Sequence, residues 1–406
     1  MGKNEKIVVG LDIGTTKTCA IVADVQDRRK VNIIGIGTHP SSGIRKGVIV
    51  NIENTVESIR KAVEEAELMS GVQINSVYAG IAGSHIKGFN SRGVIAIKEN
   101  EVVYADVKRV IGKAKTVVIP QDREILHILP QTFSVDDQDG IRDPLGMSGV
   151  RLQAEVHIIT GAVTSSQNIV KSIQRAGLDV IELILQPMAS SEAVLFPEEK
   201  ELGVVLIDIG GGTTDIAIFR NGSIWHTAVI PIGGSHFTND IAVGLRTPPA
   251  EAEKIKIRYG VAVKKSGGQE ESIEVPGVGG RFPRALSRQF LSEIIESRAV
   301  EIFQMAAQEI QKTGQQEMMA SGAVITGGSS LMEGMTEVAE RVLDLPVRVG
   351  YPGNIGGVAD IVRNPMYATG VGLILHAVRT RERPESQSGQ NGSVLHKIKE
   401  WFRDIF

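Results

Sequence analysis

The chain has 406 residues, 42% of them hydrophobic and 4% aromatic, with a formal net charge of -3. That length predicts more than one domain, the balanced charge points to no nucleic-acid partner, and a single cysteine, Cys19, excludes an intrachain disulfide. No run approaches the ~18 apolar residues that span a bilayer, and the polar opening Met1 to Lys6 lacks a secretory pattern, so the body is expected to be soluble and cytoplasmic.

The first predicted element is a hairpin. Ile7 to Gly10 is an apolar strand, Asp12-Ile13-Gly14-Thr15-Thr16-Lys17 turns the chain, and Thr18 to Val22 is apolar again. Cys19, inside that second strand, reads as a buried inert thiol. Strands follow at Val31 to Gly37 and Val48 to Val50. Asn51 caps a helix over Ile52 to Met69, with Val56, Ile59, Val63, Ala66 and Leu68 as its apolar positions and Gly71 as its stop. Ser76 to Ile81 is a further strand.

Residues 84–159 have a different texture, denser in polar residues and punctuated by Pro120, Pro130 and Pro144. They predict a small inserted domain with a helix over Val102 to Lys115 and a strand region over Ile125 to Val135. The acidic turn Asp136-Asp137-Gln138-Asp139-Gly140 reads as a solvated loop rather than a cation site. Helical spacing returns over Ser165 to Arg175, and Asp179 to Leu185 is a strand. Gln186 to Ala193 is a strand end opening a helix, with Pro187 suited to its first turn.

The central stretch comes next. Val204 to Ile207 is a buried strand, Asp208-Ile209-Gly210-Gly211-Gly212-Thr213-Thr214 a tight turn, and Asp215 to Phe219 the returning strand. Bare glycine backbone lets N–H groups lie against a phosphate chain. Thr213 and Thr214 add hydroxyl donors, and Asp208 at the strand end can hold Mg2+ through its water shell. The grammar is that of the first hairpin. Two such turns, far apart in sequence, can face each other across a cleft and grip one phosphate chain from both sides. Lys17 brings positive charge to the first, and the helix from Gln186 would pass beneath the cleft.

Gly233-Gly234-Ser235 precedes a helix over Phe237 to Leu245, whose N-terminus would attract the same anion. Helical spacing recurs over Pro249 to Arg258. Ser266 to Gly280 reads as a loop or hairpin, and Pro283 to Ala307 as a long helix whose Arg284, Arg288 and Arg298 fit a solvated face. Gly327-Gly328-Ser329, after the strand Ala323 to Thr326, can lie flat against an adenine or ribose. Asn364 to Ala377 is a packed helix. From Arg379 the composition becomes that of a linker. The terminus then carries one apolar stripe, Val394, Leu395, Ile398, Trp401, Phe402, Ile405 and Phe406, beside basic Lys397, Lys399 and Arg403. It predicts an amphipathic helix lying in an anionic membrane interface. One such anchor is weak, and many on one assembly would hold through avidity.

The paired hairpins and Gly327-Gly328-Ser329 resemble the ATPase fold of actin, sugar kinases and heat-shock chaperones. Within it, Ile125-Leu-His-Ile-Leu-Pro-Gln-Thr-Phe, Asp143-Pro-Leu-Gly-Met-Ser-Gly-Val-Arg-Leu, Val156-His-Ile-Ile-Thr-Gly and the amphipathic terminus resemble the FtsA family of bacterial division proteins. The resemblance implies an α/β, actin-like, two-lobed fold of duplicated ribonuclease-H-like domains, with an inserted small α+β domain and a C-terminal amphipathic helix. It divides the chain into a first lobe (1–84, 164–197, 351–380), the insert (85–163), a second-lobe core (198–240, 311–350), its subdomain (241–310), a linker (381–392) and the membrane helix (393–406).

It further implies ATP with Mg2+ as ligands. Asp12 and Asp208 would order the metal's waters, Gly14 to Lys17 and Gly210 to Thr214 would hold phosphates, and Glu253 and Lys256 would lie on the ribose side. Partners would be the FtsZ tail, received by the helix bearing Arg284, Arg288 and Arg298, further copies of the chain in filaments, and other division proteins. The place would be the inner face of the cell membrane at the division site. Gln186 stands where related chaperones carry a water-orienting glutamate. A glutamine is no base at neutral pH, so hydrolysis is expected to be slow, with ATP acting mainly as a conformational ligand. Two alternatives are a sugar-kinase-type phosphotransferase and a pilus-assembly relative that does not bind FtsZ.

Overall fold

The computed structural model describes residues 6–27, 30–263, 271–279, 281–314 and 316–381. The chain opens with β1 (Ile7–Ile13), β2 (Lys17–Asp27) and β3 (Lys30–Pro40), then the short pair β4 (Ile44–Arg45) and β5 (Val48–Ile49). Helix α1 (Ile52–Ser70) starts where the Asn51 side chain accepts the Asn54 N–H at 3.0 Å, and stops at Gly71, whose φ of 67° suits glycine. Val56, Ile59, Val63 and Ala66 are buried as their spacing predicts, but Leu68 is 86% exposed, because it falls on the solvent side of the stripe. β6 (Ser76–Ile81) then pairs parallel with β1.

The insert has its own sheet and core. β7 (Lys87–Ala96), α2 (Tyr104–Ala114), β8 (Arg123–Val135), β9 (Gln138–Ile141) and β10 (Arg151–Ala162) build a four-stranded sheet, β7-β10-β8-β9, whose core includes Val107, Val110, Phe133, Leu152 and Val156. Asp136, in its acidic turn, accepts backbone N–H bonds from Val150 at 3.0 Å and Arg151 at 2.9 Å and so works as a staple. Chain order then returns to the first lobe with α3 (Val163–Arg175), β11 (Asp179–Leu185) and α4 (Gln186–Val194).

After α5 (Pro197–Leu202), the second lobe begins with β12 (Val204–Ile209), β13 (Thr214–Arg220), β14 (Ser223–Ile230), α6 (Gly234–Gly244) and α7 (Pro249–Tyr259). The hairpin β15 (Ser272–Val275) and β16 (Arg284–Ser287) leads into α8 (Arg288–Lys312), followed by β17 (Ala323–Thr326), α9 (Met335–Leu343) and β18 (Val347–Val349). The chain crosses back through β19 (Gly356–Gly357) and α10 (Ala359–Val362) to α11 (Ala368–Arg381). The helix predicted from Pro283 therefore starts five residues later. Arg284–Ser287 pairs instead with Ser272–Val275, and Ser287 caps α8 by accepting the Gln289 N–H. Helices α6 and α8 each run through one of the subdomain divisions drawn from the sequence.

The two lobes are built alike. The sheets β11-β6-β1-β2-β3-β19 and β14-β13-β12-β17-β18 each centre on an antiparallel hairpin, and the first strand of each hairpin has a parallel partner, β6 or β17. Even the register repeats: Ile13 opposes Thr18 as Ile209 opposes Thr214. The insert's sheet meets the second lobe as well as the first. Gln131 donates to the Ile224 and Trp225 carbonyls, and His157 Nε2 lies 2.9 Å from Thr227 Oγ1. Burial lowers the His157 pKa to about 3, so it stays neutral.

Helices α4 and α11 lie under both hairpins. They touch backbone to backbone: a Cβ on Gly372 would sit 1.8 Å from the Ala189 carbonyl oxygen. Burial pushes the Cys19 thiol up to about 12, in keeping with an inert core thiol. Among the described residues no helix is long and apolar enough to cross a membrane. The segment 393–406, with Val394, Leu395, Ile398, Trp401, Phe402, Ile405 and Phe406, lies outside the described residues, as do 266–270 and 280 of the predicted loop or hairpin, whose described part, 271–279, holds β15.

Candidate functional site

A cleft of about 660 Å³ lies between the lobes, and the turns of both hairpins line it. The two turns are the same device. Gly14 N–H bonds the Lys17 carbonyl at 3.0 Å, and Gly210 N–H bonds the Thr213 carbonyl at 2.9 Å. Thr15, Thr16 and Thr213 face one crevice, not two. The tips also approach each other closely. A Cβ on Gly211 would lie 2.5 Å from Thr16 Oγ1, and one on Gly212 2.5 Å from Thr15 Oγ1. Side chains there would force the turns apart and cover the N–H groups.

Thr214 departs from expectation. It is fully buried, and its hydroxyl donates to the Ile232 carbonyl at 2.8 Å, because strand alternation turns it away from the cleft. Lys17 lines the cleft, yet its ammonium donates to the Met366 carbonyl at 2.7 Å.

Three buried carboxylates stand at the base. Asp12 ends β1 and accepts Gln186 Nε2 at 3.1 Å, Gln186 being the first residue of α4. Burial raises its pKa to about 6, against the pull of Lys17 and with help from Asp208. Asp208 Oδ2 accepts Ser190 Oγ at 2.6 Å and Thr369 Oγ1 at 3.4 Å. Burial raises its pKa too, opposed by those two hydroxyls. Asp215 takes Thr213 Oγ1 at 3.0 Å on one oxygen, while the other, buried, has no hydrogen-bond partner. Burial first, then Asp208, raises its pKa to about 8.

Asp215, Ser190 and Thr369 are not among the site residues expected from the sequence. An acid leading into the apolar run Ile216 to Phe219 was the available signal for Asp215, since buried charge is costly. The partners of Ser190 and Thr369 are set only by tertiary packing.

The sign of the pH effect follows. A folded-state pKa above the unfolded value gives stability that is full below about pH 4 and is lost as pH rises through about 6 for Asp12 and about 8 for Asp215. Without divalent cations or nucleotide, Asp215→Asn is therefore expected to raise Tm near about pH 8.5 and to change it little near about pH 4. Thermal melts at both pH values check this.

The remaining predicted residues close the far side. Gly234 N–H bonds the Gly210 carbonyl at 2.8 Å and Ser235 N–H the Gly211 carbonyl at 2.7 Å, which locks the start of α6 onto the second turn. Gly233 sits behind them: a Cβ there would meet the Gly210 oxygen at 2.5 Å. On α7, Glu253 pairs with Lys256 at 2.7 Å, and both hold Thr238 of α6. Gly327, at φ 83°, passes beside Asp208, and Gly328 and Ser329 line the cleft beyond it.

Comparison with known proteins places this architecture. The sequence model described as "Cell division protein FtsA" matches residues 205–372, and "SHS2 domain inserted in FTSA" matches 83–160. The Cell division protein FtsA of Pseudomonas aeruginosa is 50% identical over 410 residues, 99% of this chain and 98% of that protein. The chain belongs to the FtsA family. The FtsA lobes are actin-like: the "PilM-PilN type IV pilus biogenesis complex" gives a TM-score of 0.66 at 15% identity, covering 91% of this chain and 98% of that one. MreB5 of Spiroplasma citri bound to ADP gives 0.55 at 14% identity, covering 90% and 94%.

The three arginines that the FtsA resemblance singled out do not form one stripe. Arg284 is exposed on β16 and donates to the Leu245 carbonyl. Arg288 opens α8, bonds Glu271 and the Tyr259 carbonyl, and lines the outer cleft. Arg298 is gripped by both Asp240 oxygens, at 2.6 and 3.0 Å, and by Glu301. Its charge is already answered within the chain.

Proposed function

We propose that this FtsA-family chain binds ATP with Mg2+ in the interlobe cleft, assembles into filaments, and anchors FtsZ to the inner face of the cytoplasmic membrane at the division site. The observation that carries the reading is the meeting, over one cleft, of two turns closed by the same backbone hydrogen bond. Gly14 to Lys17 and Gly210 to Thr213 would supply N–H and hydroxyl donors to the phosphates, and Gly327 to Ser329 with Glu253 and Lys256 the nucleoside end. The carboxylates fit a hydrated divalent cation. Asp12, Asp208 and Asp215 share a base in which one Asp215 oxygen has no partner and the nearest ammonium is turned to Met366. The cation would offset phosphate charge. The ADP held by MreB5, on the same fold, supports this ligand class.

Gln186 fixes the hydrolysis expectation. Its amide donates to Asp12 and offers no base. Turnover is expected to be slow, and Gln186→Glu is expected to raise it by at least about tenfold, since a positioned base contributes roughly 10²–10⁴. Asp12 beside the new carboxylate would raise its pKa and strengthen it as a base. Phosphate release under saturating ATP reads the change.

An acidic FtsZ tail would be met by Arg284 and Arg288 rather than Arg298, since an acidic peptide needs arginines not already doubly paired. The apolar-basic terminus supports membrane attachment. Whole-length identity to cell-division proteins supports this reading over the sugar-kinase and pilus alternatives, the PilM likeness being one of fold. Co-sedimentation of the full chain with anionic vesicles and FtsZ tests the whole reading. FtsZ is expected to pellet only when the chain is present, and more of it with ATP. FtsZ recovery independent of the chain would refute the anchor.

A further inference from the structure

Lys17 sits on the first turn of the cleft, yet it holds the start of α11. Its Nζ donates to the Met366 carbonyl at 2.7 Å and lies 4.0 Å from the centre of the Tyr367 ring. Met366 and Tyr367 belong to a single 3-10 turn, Pro365–Tyr367, directly ahead of α11. Among the described residues the turn's other hydrogen bonds are local, Met366 N–H to Asn364 Oδ1 at 3.0 Å and Tyr367 N–H to the Asn364 carbonyl at 2.9 Å, while Pro365 is buried and Tyr367 packs against the first-lobe core. Two residues on, Thr369 Oγ1 reaches Asp208 and also lies 3.0 Å from Ser190 Oγ. The entry to α11 is thus gripped by one charged group from each hairpin.

The other end of α11 is tied to the first lobe. Arg379 pairs with Glu192 of α4 at 3.1 Å, and His376 lies 3.7 Å from Glu182. The helix is described as far as Arg381, and the next residues in sequence are the linker and the apolar-basic segment 393–406. So one helix runs from the two turns toward the linker that precedes that segment in sequence.

An ammonium is drawn to an anionic oxygen more strongly than to a neutral carbonyl, because attraction between two full charges adds to the hydrogen bond. We propose that Lys17 is a phosphate-sensitive latch: a polyphosphate in the cleft competes with the Met366 carbonyl for its ammonium, and so loosens the turn that starts α11. The inference rests on the reading of the cleft as a nucleotide site. It adds a route by which that site addresses the helix leading to the terminal segment. The differential interaction that any such switch requires is a single cation with two acceptors, one on the ligand and one on the chain.

Hydrogen exchange on the full chain, with and without a non-hydrolysable ATP analogue and Mg2+ at saturation, tests it. In the wild type, amides of both turns are expected to gain protection while those of residues 366–370 exchange faster. Lys17→Gln still has an amide for the carbonyl but no charge for a phosphate to draw away. At saturation its turns are expected to be protected and 366–370 unchanged. Tyr367→Leu, which leaves Lys17 intact, is expected to speed exchange at 366–370 before any nucleotide is added. Protected turns with no change at 366–370 in the wild type would overturn the latch alone, as would an equal change in Lys17→Gln. No protection at either turn would overturn the nucleotide reading and the latch together.

Discussion

Gly212→Val is expected to weaken ATP binding by at least about 100-fold while leaving the fold intact. The Cβ alone would lie 2.5 Å from Thr15 Oγ1 and 2.8 Å from Thr15 Cγ2, closer than packed atoms allow, so the turns must part. The valine branches then cover the N–H groups that the turn offers. A hydrogen bond to a charged acceptor contributes ~1.5–3 kcal/mol, so losing two removes about 3 kcal/mol or more, a loss in affinity of at least about 100-fold. The glycine is at the turn tip, away from the strand ladders, so Tm should change little. Calorimetric titration with MgATP, beside a thermal melt, separates the two effects. Unchanged affinity would mean that the second turn does not touch the ligand.

Removing residues 393–406 is the second large effect. The stripe from Val394 to Phe406 has seven large apolar residues. Each contributes up to ~1.5–3 kcal/mol if fully buried. Helix ordering and partial immersion reduce that sum, and each of Lys397, Lys399 and Arg403 adds roughly 1 kcal/mol on an anionic surface. The truncated chain is expected to lose vesicle binding by at least about 100-fold. It should keep its nucleotide affinity, since among the described residues none beyond Thr369 lines the cleft. Full-length binding should also weaken with salt, as the basic residues demand. Equal pelleting of truncated and full chains with anionic vesicles would contradict the tether.

What could be seen in the sequence was what is encoded locally. Asn51 and Gly71 bracket α1 because caps are decided within a turn of the helix. The hairpins were legible because an apolar run, a glycine turn and a second run need no distant partner. The start of α8 was not legible, because Arg284–Ser287 looks helical until the strand Ser272–Val275 comes alongside it. Thr214 shows the limit of a motif: its neighbour Thr213 faces the cleft, and alternation along β13 sends the next hydroxyl to Ile232. Lys17 shows another. Its charge was visible and its direction was not, since Met366 lies 349 residues away. Asp215 was missed although an acid in a buried strand is conspicuous, because the glycine turn drew the whole functional reading to itself.

The most direct test of the central claim is a structure of the full chain with a non-hydrolysable ATP analogue and Mg2+. The account predicts one polyphosphate flanked by both turns, with Thr15 and Thr16 on one side and Gly211 to Thr213 on the other. A nucleotide held by one turn alone, or bound outside the interlobe cleft, would contradict it.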